Sequence, residues 1–163
     1  MARSYLMDFS KIQSDVLKAA FNEKANSYFY GTCENYNGKY HIISDGHMIV
    51  FIPEVFYYLN DEKVFNNKMP WNGANEFLKY ADDAKRITLT SELKMVPGSK
   101  NPLMIFKTES DEKIYIDTAL YKIFEKAPAL TYSGTNAKSP IYIYSNSNII
   151  GCILPVYVKE PAA

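Results

Sequence analysis

The chain has 163 residues with 18 basic and 18 acidic side chains, so its formal net charge is zero. This length predicts a single domain. Hydrophobic residues make up 47% of the chain, which is enough for a full core and excludes wholesale disorder. A protein that binds DNA without sequence preference is usually basic overall, although a neutral chain can balance a basic face with an acidic one.

The sequence also predicts a cytoplasmic protein. No apolar run approaches the roughly 20 residues that a membrane helix needs, and residues 1–5 lead directly into a strand and helix pattern without a leader. Cys33 and Cys152 lie in apolar, strand-like runs and outside any C-x-x-C pair. We interpret them as buried free thiols in a reducing compartment.

The first 53 residues follow a strand–helix–three-strand pattern. Residues 4–7 predict a short strand, and either Asp8 or the pair Ser10 and Gln13 caps the next helix. Apolar residues recur at helical spacing to about Lys24 and predict one buried stripe: Ile12, Val16, Leu17, Ala20 and Phe21. Three strands are predicted at 27–34, 39–44 and 47–52, separated by the turn pairs Asn37-Gly38 and Asp45-Gly46.

The segment 113–158 repeats this pattern. A short strand at 113–116 precedes Asp117, which can cap a helix that runs to about Ala127. Three apolar residues of this helix are predicted to face inward: Leu120, Ile123 and Phe124. Strands follow at 129–133, 140–144 and 149–158, separated by a turn-like stretch at 134–139 and a tight turn at 145–148.

The two patterns align in register, which indicates an internal repeat. Residues 5–8 (YLMD) align with 114–117 (IYID), and both third strands contain an aliphatic residue followed by proline, at Ile52-Pro53 and Leu154-Pro155. A coincidence between two ordinary α+β patterns is the alternative. The predicted fold class is α+β, with a duplicated β-α-β-β-β unit whose halves are 3–53 and 113–158.

Residues 54–112 lie between the halves and are too many for a simple connection. A helix is predicted at 72–85, and strands are predicted at 87–93 and 103–108 around a turn-rich stretch at 97–102. We interpret this insertion as a helix and hairpin arm or as a small extra layer.

Residue patterns typical of enzymes and metal sites do not occur in the sequence. His41 and His47 lie on neighbouring predicted strands, without the spacing or the nearby cysteine of a zinc site. The phosphate-binding glycine loop, the G-x-S-x-G motif and the dinucleotide fingerprint do not occur either. No catalytic residue, metal or cofactor is predicted, and an enzyme with a site in the insertion is the least favoured interpretation.

The run 43–50, ISDGHMIV, resembles the T-D-G-H-R-L-A-V stretch of bacterial DNA polymerase III β subunits, the β sliding clamps. In that family the stretch lies at the turn between two strands of a clamp domain, which is where Asp45-Gly46 falls. Residues 153–158 resemble the strand that ends those clamps, and a duplicated β-α-β-β-β unit is the architecture of one clamp domain. The resemblance covers residues 3–53 and 113–158.

The sequence also departs from the family pattern. Ser44 replaces the threonine, and Met48 and Tyr157 stand where the family has arginine. Members of the family carry two or three such domains in each chain and close a ring of six, whereas this chain offers one domain. A ring would therefore need six copies.

The resemblance implies helices that face the DNA phosphates across a central hole. Long cations on the exposed helix faces make such contacts without reading the base sequence. The candidates are Lys11 and Lys18 on the first helix and Lys122 and Lys126 on the second. Asp15 and Glu125 interrupt these rows, so an ordinary solvated helix face is the alternative.

The resemblance further implies an apolar pocket that binds short hydrophobic peptides of partner proteins. The candidates lie near the D-G-H run and in the last strand: Gly46, His47, Ile49, Leu154, Pro155 and Val156. The alternative is that these residues simply close the core between the sheet and the helices.

Two functions follow from the resemblance. The first is a non-catalytic, clamp-like accessory protein of DNA replication, of phage or mobile-element type, that contacts double-stranded DNA and forms a homo-oligomer. The second is a protein-binding decoy or inhibitor that docks onto host replication or defence machinery without binding DNA. The neutral charge and the missing arginine favour the second.

Overall fold

A computed structural model describes residues 9–21, 29–35, 38–44, 47–58, 67–68, 71–97 and 100–158. In chain order these residues form α1 (Phe9–Phe21), β1 (Phe29–Asn35), β2 (Gly38–Ser44), β3 (Met48–Pro53), a 3₁₀ helix (Glu54–Phe56), β4 (Asn67–Lys68), α2 (Trp71–Asp83), β5 (Lys85–Lys94), β6 (Leu103–Lys107), β7 (Lys113–Asp117), α3 (Thr118–Tyr121), β8 (Leu130–Gly134), β9 (Ile141–Ser145) and β10 (Asn148–Ile153). The fold is mixed α+β, as predicted, and the sheet dominates it.

The strands of the described residues form one sheet in the order β4-β1-β2-β3-β10-β9-β8-β5-β6-β7. Its neighbouring strands are antiparallel, except that the short β4 runs parallel to β1. The meanders β1-β2-β3 and β8-β9-β10 therefore meet at their last strands, where Val50 lies opposite Gly151.

Turn residues place the strands of both meanders close to their predicted positions. Gly38 begins β2 with φ 128°, which glycine adopts freely because it has no Cβ. The turn between β9 and β10 has positive φ at Asn146 and Ser147, as tight two-residue hairpins require. The predicted strand and cap at 4–8 and the predicted turn at 45–46 lie outside the described residues.

Both faces of the sheet are apolar, because successive side chains of a strand point to opposite sides. In β3, Val50 and Ile52 join the larger hydrophobic cluster. Ile49 and Phe51 join a separate cluster on the other side. We call these sides the inner face and the outer face.

The helices cover the two faces separately. On the inner face, Phe9 and Ile12 of α1 pack in the same cluster as Phe124, which follows α3. On the outer face, Leu78 and Ala81 of α2 pack against the sheet. None of the helices among the described residues has the length and apolar character needed to cross a membrane.

The helix predicted from Asp117 to about Ala127 is wrong beyond its first turn. The carboxylate of Asp117 caps the helix as expected, accepting a backbone N–H at 2.8 Å. The chain then continues in turns whose N–H groups bond three residues back, from Phe124 to Tyr121 and from Ala127 to Phe124. Burial follows the same three-residue period, so Phe124 is buried while Ile123, predicted to face inward, is exposed.

The last predicted strand, 149–158, is also shorter than expected. β10 ends at Ile153, and Pro155 has no N–H with which to continue a ladder. Val156 donates instead to a carbonyl of β7 at 2.8 Å. We call residues 154–158 the strap.

The insertion contains the predicted helix and both predicted strands, as α2, β5 and β6. Its strands continue the sheet, because β5 pairs with β8 and β6 pairs with β7, so the hairpin does not project as an arm. The register of β5 shifts between Leu89 and Leu93. There the hydroxyl of Thr90 donates to the carbonyl of Ile105 at 2.8 Å and replaces a ladder bond.

Gly151 lies at the centre of the sheet, directly under the ring of Phe124. The ladder between β10 and β9 shifts register between Ile149 and Gly151, as in a β-bulge. A Cβ on Gly151 would overlap two atoms of the Phe124 ring, which is fully buried. The close approach therefore requires glycine at this position.

Gly151→Ala is expected to lower the free energy of unfolding by about 3 kcal/mol, because the added methyl group displaces the ring of Phe124. Urea denaturation measures this loss. Gly134→Ala is the matched control and should lose much less, since its Cβ would meet the flexible end of Ile87 at 3.2 Å. The G151A and F124L substitutions should be less costly together than the sum of the two alone; additive losses would contradict the contact.

Candidate functional site

The first row of predicted DNA-facing lysines lies on α1. Phe9 and Ile12 are buried on one side of this helix, and Lys11 lies on the exposed side. The ammonium of Lys11 is 3.3 Å from the carboxylate of Asp15, and 73% and 56% of the two side chains are exposed. This carboxylate reduces the positive potential that Lys11 presents to a phosphate. The side chain of Lys18 lies outside what the structure describes.

The second row, Lys122 and Lys126, lies in the turns after α3. Both side chains are exposed, and so is Glu125 beside them. Because α1 and these turns pack in the same inner-face cluster, Lys11, Lys122 and Lys126 extend from the same layer of the fold. Their contact with DNA stays a prediction.

Six residues are predicted to line a peptide pocket: Gly46, His47, Ile49, Leu154, Pro155 and Val156. His47 and Leu154 are neighbours, since the N–H of Leu154 donates to the carbonyl of His47 at 2.8 Å, and both side chains are exposed. Ile49 belongs to the outer-face core, Pro155 and Val156 belong to the strap, and Gly46 lies outside the described residues. The structure therefore brings His47 together with Leu154, the first residue of the strap, at the surface; Pro155 and Val156 follow Leu154 directly.

The strap lies in an apolar groove on β6 and β7. Val156 and Val158 pack against three buried residues of these strands: Leu103, Ile105 and Tyr115. The ammonium of Lys94 lies 5.6 Å from the centre of the Tyr115 ring. An open cavity of about 370 Å³ runs beside the strap, next to residues 111–113 and 137–138. Sequence reasoning missed this groove because its floor comes from the insertion and from β7.

A second cavity, of about 320 Å³, has charged residues of both signs in its lining. It is lined by residues at the start of β5, the β6–β7 turn and the end of β8, including Lys85, Arg86, Asp83 and Glu109. Charges of both signs thus lie in one cavity and offset each other's field. In the parts of the chain that the structure describes, no three His, Cys, Asp or Glu side chains are grouped to hold a metal ion.

Gln13 is a buried polar residue with several hydrogen bonds, whereas the sequence predicted it only as a possible capping residue. Its side chain is fully buried. Its amide nitrogen donates to the carbonyls of Phe9 at 3.1 Å and Phe56 at 2.8 Å, and its amide oxygen accepts the N–H of Tyr58 at 2.8 Å. Gln13 therefore fastens α1 to the chain that follows β3. The sequence signal was a polar residue one position after Ile12, inside the apolar stripe.

His41 is held against an aromatic ring. The imidazole stacks on Tyr57 with centroids 4.1 Å apart and planes 7° from parallel. Burial lowers the pKa of His41 and outweighs the opposing effect of Glu54, while Lys39 lowers it further. The neutral imidazole is therefore the form that the fold favours.

The cysteines and the buried tyrosines are not activated. Burial raises the pKa of Cys33 to about 12 and also raises the pKa of Cys152, so both remain thiols at neutral pH. The hydroxyls of Tyr121 and Tyr132 are 2.5 Å apart, and burial, with this hydrogen bond, raises the pKa of Tyr121.

Comparison with family models, curated proteins and solved structures found no match for the chain.

Gln13→Ala is expected to lower the free energy of unfolding by about 2 to 3 kcal/mol, because it leaves part-buried carbonyl and N–H groups without their partner. Thermal or urea unfolding measures the loss. Lys11→Ala, two positions away on the same helix, removes an exposed ion pair and should cost about 0.5 kcal/mol or less. Equal losses in the two variants would contradict the role of Gln13.

The stability of the protein should fall with pH below the ordinary histidine pKa of about 6.5. The unfolded chain then takes up a proton that folded His41 resists, so the loss begins near that pH and levels off below the lowered pKa of the folded state. His41→Phe keeps a ring on Tyr57 but cannot titrate. The unfolding free energies of the wild type and H41F are compared from about pH 7.5 to about pH 4.5, which spans the ordinary histidine pKa. The wild type should lose stability relative to H41F as the pH falls; a constant difference would contradict this.

Proposed function

We propose that this chain is a non-catalytic, clamp-like accessory protein of DNA replication, whose inner-face helical layer approaches double-stranded DNA. The observation that carries the proposal is the strand order β1-β2-β3-β10-β9-β8, in which two meanders meet antiparallel at their last strands. A half-turn about an axis between β3 and β10 would exchange the two meanders. This is the relation expected of a duplicated β-α-β-β-β unit.

The helical segments agree with the same relation. α1 precedes the first meander, and α3 with its turns precedes the second, and both pack in the inner-face cluster. β7 precedes α3 as the strand predicted at 4–7 precedes α1. The remaining elements, β4, α2, β5 and β6, come from the insertion and extend the unit.

The inner-face layer supplies the cations that a phosphate-binding surface needs. Lys122 and Lys126 are exposed in the turns after α3, whereas Lys11 is already paired with Asp15. Phosphate contact by the turns after α3 should therefore exceed contact by Lys11. With zero net charge on the chain, such binding depends on this local surface and is strongest at low salt.

The second candidate function, a module that docks onto a protein and not onto DNA, is favoured by exposed apolar side chains. Leu93, Met95 and Tyr157 are each more than 60% exposed. Such side chains suit a protein-contact surface better than a DNA-contact surface, which is polar and positively charged.

A titration of double-stranded DNA at several salt concentrations tests the first function. Affinity of the wild type should fall as salt rises, and K122A/K126A should reduce the slope of log affinity against log salt by about 2, since each lysine that leaves a phosphate removes about one unit. The matched control is K79A/K85A, which removes two exposed lysines from α2 and the start of β5 and should leave the slope unchanged.

A wild-type chain without DNA affinity at low salt would contradict the first function and favour the second. A slope that both double variants reduce equally would contradict the assignment to the inner-face layer. The solution mass addresses the ring directly, because a strict monomer at high protein concentration excludes a closed ring of six copies.

A further inference from the structure

The residues that follow β3 lie between α1 and the sheet. We call residues 54–58 the link. It begins with the 3₁₀ helix and continues as extended chain at Tyr57, where φ is −87° and ψ is 125°. Side chains of an extended chain point alternately to opposite sides. Phe56 and Tyr58 are therefore expected to reach one neighbour and Tyr57 another, and the contacts of the link follow this alternation.

Phe56 and Tyr58 contact α1. The side-chain amide of Gln13 bonds the carbonyl of Phe56 and the N–H of Tyr58, both at 2.8 Å. The hydroxyl of Tyr58 donates to the carbonyl of Ser10 at 3.1 Å. The rings of Phe9 and Phe56 stack with their centroids 5.7 Å apart. Because these contacts come from more than one turn of the helix, we expect α1 and the link to open together.

Tyr57 contacts the sheet instead of the helix. Its ring stacks on the imidazole of His41 in β2 and also packs against the inner-face cluster. His41 lies on the inner face, because the residue opposite it in β3 is Ile52 of that cluster. On its other side Thr32 of β1 lies opposite. The imidazole therefore lies between the sheet and the link, and opening of the link breaks this stack.

The surroundings of His41 resist a positive charge on its ring. The residues opposite it in β1 and β3 are uncharged. Burial lowers the pKa of His41, Glu54 at the start of the link acts in the opposite direction, and Lys39 of β2 lowers it further. Glu34 of β1 lies opposite Lys39 in the ladder. When the link opens, the imidazole regains water and takes up a proton at the ordinary pKa of about 6.5.

We propose that His41 is an acid-sensitive anchor for α1: when the imidazole takes up a proton, the link and α1 open from the inner face as one unit. Opening uncovers the part of the inner-face cluster that Phe9 and Ile12 cover. It also moves Lys11 away from the lysines in the turns after α3. The inference goes beyond the proposed function and does not depend on DNA binding.

The direction of the pH dependence follows from proton linkage. The closed state has its full advantage above the ordinary histidine pKa of about 6.5 and loses it as the pH falls toward the lowered pKa of the closed state. Below both values the loss levels off. Since one proton is taken up, the ratio of open to closed molecules rises at most about tenfold for each pH unit.

Native-state hydrogen exchange of the full chain, followed by NMR, tests the proposal. The N–H of Tyr58, which is bonded to Gln13, reports the opening of the unit. The amides of β9, which is paired on both sides, report the opening of the whole chain. After correction for the intrinsic exchange rate, the Tyr58 amide should be less protected than those of β9. Its protection should fall between about pH 7.5 and about pH 4.5, a window around the ordinary histidine pKa.

Two variants assign this pH dependence to one imidazole. His41→Phe keeps a ring on Tyr57 but takes up no proton, so protection of the Tyr58 amide should no longer change with pH. His47→Gln removes the other histidine of the chain and should behave as the wild type. The proposal is overturned if Tyr58 loses protection with falling pH in H41F as in the wild type, or if the wild type shows no such loss.

Two further variants test the anchor with His41 in place, and they replace H41F if that chain does not fold. Lys39→Ala removes a charge that opposes protonation and should make the loss of Tyr58 protection smaller. Glu54→Gln removes a charge that favours protonation and should make the loss larger. Equal losses in K39A and E54Q would overturn the role of His41. Equal protection of Tyr58 and the β9 amides at every pH would show that α1 opens only with the whole chain, which also overturns the proposal.

Discussion

The ring of Phe124 lies on the backbone of Gly151, and this contact fixes the turns after α3 to the middle of the sheet. Gly151 faces Val50 of β3 on one side and Ile143 of β9 on the other, so the ring covers the junction of the two meanders. A longer helix after Asp117 would carry Phe124 away from this position. The three-residue turns and the absence of a Cβ at Gly151 are therefore parts of one packing solution.

The first half of the chain attaches its helix to the same face by a different interaction. α1 is fastened by the amide of Gln13, which bonds Phe56 and Tyr58 after β3, in addition to the apolar contacts of Phe9 and Ile12. A buried amide with satisfied partners holds a helix in one position, because any shift leaves polar groups unpaired. The ring of Phe124 fixes the turns after α3 in the same way, because it fills the space that the missing Cβ of Gly151 leaves. The two halves thus reach the same layer by hydrogen bonding in one case and by close packing in the other.

The exposed surface presents two kinds of chemistry, and the two candidate functions use different kinds. The turns after α3 present exposed lysines, and the apolar side chains of Leu93, Met95 and Leu154 are also exposed. Phosphate contact needs the former and protein contact the latter.

Local sequence signals determined much of this fold: the apolar strands β2, β3, β9 and β10, the turns at Gly38 and 146–147, the Asp117 cap, and the helix and strands of the insertion. Their spacing is short, and each depends on neighbours within a few residues. Only the tertiary structure decided that β5 lies beside β8, that the helix stops at Tyr121 so that Phe124 packs on Gly151, that Gln13 is buried and that the strap crosses to β7. The candidate lysines could be named from the sequence, but the strap groove could not, because Val156 of the strap lies about 40 residues along the chain from Tyr115 of the groove floor. Contacts between distant segments are set by which apolar surfaces remain to be covered once the local elements have formed, and no local pattern records that.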